Sequence, residues 1–87
     1  TPFRALLGRM KLIILEHVLD RMEEYAISEQ QVIETIHHPD SIVPGHNERK
    51  IHQKRLNGHI LRVVVEEKEE ILRVITTYNA RSDRYEV

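Results

Sequence analysis

"RKIHQKRLNGHILRVVVEEKEEILRVITTY", Arg49 to Tyr78, is the stretch that decides the fold. Asn57-Gly58 separates two runs rich in apolar and long side chains. A two-residue type I′ turn needs positive φ at both central positions, which makes Asn-Gly the strongest short-range hairpin signal. That turn sets Leu56 opposite His59, and the ladder then runs Arg55 to Ile60, Lys54 to Leu61, Gln53 to Arg62 and His52 to Val63. Alternation sorts the side chains: Gln53, Arg55 and Arg62 share one face with Ile51, Ile60 and Val64, while Lys50, His52 and Lys54 share the other with Leu61, Val63 and Val65. A second turn within Glu67 to Glu70 returns the chain along Ile71 to Tyr78. If that turn is even in length, Arg73 joins the Arg55 and Arg62 face, and Leu72 and Val74 join Leu61; an odd turn reverses the assignment. The face of Leu61, Val63 and Val65 is apolar at its centre and is the expected seat for helices. The opposite one is expected to be an exposed sheet surface bearing Arg55 and Arg62.

Upstream of the strands the period changes. Leu15, Val18, Leu19, Met22 and Tyr25 or Ala26 recur at helical spacing, while His17, Asp20, Arg21 and Glu24 mark another face. Ser28-Glu29-Gln30-Gln31 reads as a capping box opening a second helix, with Ile27 and Val32 placed as a hydrophobic staple. Val32, Ile33 and Ile36 form its buried face, and Pro39 ends it by forcing His38 out of helical geometry. Ser41 to Pro44 reads as a short edge strand limited by its proline, and Gly45 to Glu48 as a loop. Lys11 to Leu15 is either a small first strand or the lead-in to the first helix. Met10-Lys11 resembles a translation start, so residues 1–9 are read as a leader or upstream extension outside the core and 10–87 as one domain. The expected architecture is α+β: two tandem N-terminal helices packed on an antiparallel sheet of three to four strands.

Eighty-seven residues suffice for one small domain, and cysteine is absent, so neither a disulfide nor thiolate chemistry is available. That composition fits a reducing cytoplasm. The longest uninterrupted apolar run, Leu12 to Leu15, is far short of a membrane span, so no membrane association is expected. Net charge is −1 but segregated. Leu12 to Asp40 carries seven acids against Arg21 alone, whereas Arg49 to Arg62 carries five bases and no acid. Such asymmetry can make a local phosphate-attracting face; it also describes two ordinary solvated faces of opposite sign. Oligomeric state is not fixed by any of these features.

Several guanidiniums on one sheet face can bind and polarise a phosphodiester, since Arg stays charged and its fork matches phosphate oxygens. RNA cleavage through the 2′-hydroxyl adds only a proton donor and acceptor, for which His17, Tyr78, Tyr85 and, behind them, His52 and His59 are candidates. No metal or cofactor is needed for this chemistry. The plain alternative is that sheet faces carry Arg and Lys for solubility and edge protection. His37-His38-Pro39-Asp40 could be drawn as a metal cluster, but adjacent helical histidines point apart and no spaced ligand motif accompanies them.

"LEHVLDRMEEYAISEQQVIETIHHPDSI", followed by "RKIHQKR", "LRVVV" and "VITTYNARSDRY", resembles a large family of small, poorly characterised prokaryotic domains. Its members read His-x-x-x-Arg-Met near the start, then Ile-Ser and a helix ending at proline, then Leu-Arg-Val-Val and a tail of the form Thr-x-Tyr-x-x-x-Lys-x-x-x-Tyr. The likeness spans Met10 to Tyr85, and that family is similar in fold to the RelE/ParE/BrnT toxins. The resemblance implies a cytoplasmic toxin-antitoxin component: a metal-independent endoribonuclease acting on RNA or the ribosome and neutralised by an antitoxin protein. It highlights His17, Arg21 and Met22 in the first helix, Arg62 in the hairpin, and Tyr78, Arg81 and Tyr85 in the tail. This sequence departs from the pattern with Tyr25, where relatives carry a basic residue, and with Arg81, where lysine is usual. The expected assignment is His17, Arg62 and Tyr78 as catalytic residues, with Arg21, Arg55 and Arg81 binding phosphate. The other reading is a non-catalytic protein- or nucleic-acid-binding module, or a degenerate toxin, on the same fold.

Overall fold

In the computed structural model, which describes residues 1–83, six strands and two α-helices follow the order β1 (Phe3–Leu7), β2 (Met10–Ile14), α1 (Glu16–Glu24), α2 (Glu29–His37), β3 (Ser41–Pro44), β4 (Lys50–Leu56), β5 (His59–Lys68) and β6 (Ile71–Arg81). A single 3-10 turn, His46–Glu48, links β3 to β4. All six strands form one sheet in the order β1-β2-β6-β5-β4-β3. The chain leaves β2, crosses one face through both helices, starts again at the far edge with β3, and returns by an antiparallel meander until β6 lies beside β2. That last pairing is parallel, with Leu12 opposite Leu72 and Ile14 opposite Val74.

The expectation of two N-terminal helices on an antiparallel sheet of three to four strands is therefore overturned. The sheet is mixed and six-stranded, and a β-hairpin precedes the helices. The physical reason lies in the first fifteen residues. Phe3–Leu7 pairs with Met10–Ile14 through a turn at Gly8, whose φ is +64°. Phe3, Ala5 and Leu7 pack toward the same core as Leu12 and Ile14. Residues 1–9 thus supply an edge strand. The apolar run at Lys11 to Leu15 is strand rather than helix lead-in because it lies between β1 and β6 and buries Leu12 and Ile14 completely.

Elsewhere local chemistry and structure agree. Ser28 Oγ accepts from the Gln31 amide at 3.1 Å and Gln31 Oε1 accepts from the Ser28 amide at 3.1 Å, a reciprocal cap on α2. The α1 end is closed by a Schellman motif: Ile27 N–H donates to Met22 O at 2.8 Å and Ala26 N–H to Glu23 O at 3.3 Å. Ala26 adopts φ +57° to permit this, a left-handed geometry that costs about 1 kcal/mol in a residue with a Cβ. Asn57 and Gly58 have φ of 47° and 84°, and the β4–β5 register is the one the turn dictates, from Leu56–His59 to Lys50–Val65. The β5–β6 loop has two residues, Glu69 and Glu70, so Arg73 pairs with Glu66 and shares the face of Arg62.

Val18, Met22, Ile27 and Val32 from the helical layer meet Leu12, Ile14, Leu61, Val63, Val65, Leu72 and Val74 from the sheet, forming one core. Helix α1 lies on β6, and α2 on β4 and β5. A register shift between Val64 and Val65 displaces Ile75 from the ladder, so that Thr77 and Asn79 continue the helix-side face beyond it while Thr76 and Tyr78 continue the other.

Candidate functional site

The face away from the helices is organised by one polar row. Ser41 is opposite Gln53, Gln53 opposite Arg62, and Arg62 opposite Tyr78, so four side chains from β3, β4, β5 and β6 stand in line. Gln53 Nε2 donates to Ser41 Oγ at 3.0 Å, and Arg62 Nε donates to Gln53 Oε1 at 2.9 Å. Arg62 Nη1 donates to the Tyr78 hydroxyl, and its guanidinium carbon lies 5.6 Å from the Tyr78 ring centroid. Arg62 is only 8% exposed, and its backbone carbonyl accepts from Thr77 Oγ1 at 2.9 Å. Gln53 and Ile60 are buried as well. This face is therefore not the open surface that alternation suggests: alternation assigns a face, and burial depends on what else covers it.

Tyr78 links this row to the edge of the sheet. β2 accompanies β6 only from Ile71 to Val74, so the second half of β6 has β5 on one side alone. There α1 ends, and exposed Tyr25 at its C-cap joins Tyr78 and Asn79 around a cleft of about 300 Å³. Asn79 also lines an adjoining depression of about 510 Å³ with Gly58, His59 and Arg81. Arg21 is exposed one helical turn before Tyr25, on the same side of the helix. Two phenol rings and one amide thus meet at the hairpin end of the sheet, beside a depression lined by His59, Arg81 and Asp83.

The sequence-derived site residues divide between the two sides. Arg62 and Tyr78 are brought into direct contact. Arg55 shares their face, with its backbone N–H donating to Asp40 Oδ2 at 2.8 Å and its side chain exposed. Arg81 pairs with His59, on the face that Leu61 and Asn79 occupy, and its guanidinium holds Asp83 at 2.9 Å. His17 and Arg21 are exposed on α1, and among the described residues no hydrogen bond or ion pair joins either to Arg62 or Tyr78. Tyr85 lies outside the described residues. Among those described, no cluster of three potential metal ligands occurs, and His37 and His38 are simply tilted rings 5.7 Å apart. The Arg73 guanidinium meets Glu66, which also approaches Arg49. Sequence reasoning missed four participants: Gln53 as the bridge between Ser41 and Arg62, though its register position was legible; Ser41 itself; Asn79 in the cleft; and Tyr25, which helical periodicity offered only as a core position.

Among the described residues, His52 has its pKa lowered from the ordinary histidine value. It is buried on the helix side opposite Val63, and Nδ1 has no hydrogen-bond partner. Burial foremost, and Lys50 second, pull its pKa below the ordinary histidine value, with Glu67 opposing. Below the unfolded value of about 6.5 the unfolded chain then binds more protons than the folded one, so this contribution to stability is complete above about 6.5 and declines as pH falls. Urea denaturation at about pH 7.5 and about pH 5.5 checks this: His52→Leu is expected to narrow the stability difference between the two.

Taken together, the chain is a small mixed-sheet α+β domain whose distinctive chemistry is a row of buried glutamine and arginine joined to a half-buried tyrosine at an aromatic cleft. It belongs to the family described as a domain of unknown function, DUF4258, whose family model matches residues 14–79. Neither a curated protein nor a solved structure matches it. The family match carries no link to the RelE/ParE/BrnT toxins. No helix among the described residues is long and apolar enough to cross a membrane.

Proposed function

We propose that this domain binds single-stranded RNA at the hairpin end of its sheet. The observation that carries the reading is the cleft shared by Tyr25, Tyr78 and Asn79. Unpaired bases stack on aromatic side chains, and each stacked base is worth about 1–3 kcal/mol. Tyr25 is 46% exposed and forms no part of the core, which marks it as a platform rather than packing. Tyr78 is held at a fixed angle by Arg62, which in turn is held by Gln53. Arg21, Arg55 and Arg81 lie around this end of the molecule as phosphate contacts, and Asn79 supplies donors and acceptors for a base edge. The acidic outer surface of the helices confines the strand to this end.

Cleavage is the second reading, favoured by one contact. Arg62 donates to the Tyr78 oxygen, so the phenol proton is left to point elsewhere and could be delivered to a leaving group. His17 stands apart from that pair, and Arg62 already uses Nε and Nη1 on protein partners. Binding therefore has the stronger geometric support. An antitoxin-like protein partner and a cytoplasmic setting accompany the cleavage reading.

Fluorescence anisotropy with a labelled uridine-rich oligoribonucleotide in EDTA tests both readings. Saturable binding is expected to weaken about tenfold in Tyr25→Ala, a substitution at an exposed ring that leaves the fold unchanged. With about three phosphate contacts, affinity should fall about 20-fold between about 50 and about 200 mM salt. Equal affinity of wild type and Tyr25→Ala would overturn the site assignment. Shortened RNA recovered from the same samples would favour cleavage.

A further inference from the structure

The β1 edge has properties the RNA reading does not use. Among the described residues Phe3–Leu7 pairs with β2 on one side only, and its other row of N–H and C=O groups borders the sheet. Natural edges are commonly guarded by short length, proline or inward charge, and an unguarded apolar edge is a template for another strand. The opposite edge, β3, is guarded in this way: it has four residues and ends in Pro44. Within β1 there is no proline and the one charge is the exposed Arg4, while Leu6 is 72% exposed, the most exposed large apolar side chain described.

Pairing of Arg4 with Ile13 and of Leu6 with Lys11 puts these four side chains on the face away from the helices. They line a groove of about 360 Å³ with an apolar floor and two basic posts. The β1–β2 hairpin itself carries Arg4, Arg9 and Lys11 and no acid, while Glu16 lies just beyond its end against Thr1.

We propose that β1 is the docking edge for a strand-forming segment of a partner protein that is apolar with interspersed acids. Strand addition would satisfy the edge backbone, with specificity supplied by side chains on alternate positions. An acid opposite Arg4 and an aliphatic residue opposite Leu6 match the face away from the helices. Aliphatic residues opposite Phe3, Ala5 and Leu7 match the other. A second copy of this chain fits less well. Antiparallel self-pairing about Ala5 would place the two Arg4 side chains on the close diagonal, about 7–8 Å apart at their backbones, with no acid within β1 or β2 to separate them.

The test uses the isotope-labelled 87-residue chain and the peptide acetyl-Glu-Val-Ile-Val-Glu-Val-Glu-amide, with the same peptide carrying Lys for each Glu as control. The acidic peptide is expected to shift the Phe3 to Leu7 amides and slow their hydrogen exchange, and the Lys peptide to do neither. The double variant Arg4→Glu/Lys11→Glu, altered only at exposed positions, is expected to lose about tenfold in affinity for the acidic peptide and to take up the Lys peptide. Unchanged exchange at Phe3 to Leu7 with millimolar peptide would overturn the proposal, as would binding indifferent to the charge reversal. Protection of the same amides without peptide, growing with protein concentration, would overturn it in favour of a second copy. Each outcome is independent of RNA binding, which is read at Tyr25 and Tyr78.

Discussion

Arg62→Ala is expected to destabilise the domain by about 3 kcal/mol, enough to lower the thermal midpoint by roughly 15 °C in a chain of this size. The arginine is 8% exposed and donates to Gln53 Oε1 and to the Tyr78 hydroxyl. Truncation removes both donors from a row whose glutamine is itself buried, and it leaves a cavity on the face that Ile60 and Val64 share. Arg62→Lys should recover only part of the loss, since an ammonium lacks the planar fork that reaches two strands at once. Thermal denaturation followed by circular dichroism checks the value, and an Arg62→Ala midpoint within a few degrees of wild type would contradict it. The consequence for function is direct. Arg62 holds both Gln53 and the Tyr78 ring, so a loss of activity in Arg62→Ala would mix lost stability and a released Tyr78 with any loss of chemistry. Tyr25→Ala is the more informative change.

Leu12→Ala is expected to cost a similar amount, about 3 kcal/mol, for a different reason. Leu12 is fully buried, sits opposite Ala5 on β1 and Leu72 on β6, and packs with Ile14, Val18 and Met22. Deleting three carbons there opens a cavity at the junction of the hairpin, the meander and α1. Neighbours on two sides, β1 and β6, are held by strand pairing, which limits collapse into the cavity. Small domains have total stabilities of about 5–15 kcal/mol, so either substitution consumes a large share. Urea denaturation should show a lower midpoint with an unchanged slope. A near-neutral Leu12→Ala would mean that β2 is not the interior strand described above.

The β4–β5 hairpin is legible to the residue because its turn type fixes its register, and all pairs from Leu56–His59 outward follow from Asn57-Gly58. The capping box is legible for the same reason: its chemistry is local and its partners lie three residues apart. The parallel β2–β6 contact is not. Residues 11 to 14 meet residues 71 to 74 with no turn between them, and a short continuous apolar run does not distinguish a buried strand from a buried helix segment. Reading Met10 as a start also removed the alternating Phe3-Arg4-Ala5-Leu6-Leu7 from consideration, and with it the edge strand. At the site, alternation correctly put Gln53, Arg55 and Arg62 on one face; Arg73 joins them only because the β5–β6 turn is even in length, which alternation left open. It could not show that Arg62 is buried, that Ser41 extends its row, or that Tyr25 reaches across from α1. Those are facts of the twist and bulge of the sheet and of how α1 ends, which arise only when the elements are assembled.

The measurement that tests the account most directly is the response of tyrosine ring resonances during titration with a uridine-rich oligoribonucleotide in EDTA. The ring protons of Tyr25 and Tyr78 are expected to move together to saturation with upfield shifts, as stacked bases shield them, while Leu6 on the β1 edge stays still. Saturable binding that leaves both rings unmoved, or no binding by the folded chain, would contradict the assignment of this cleft as an RNA site.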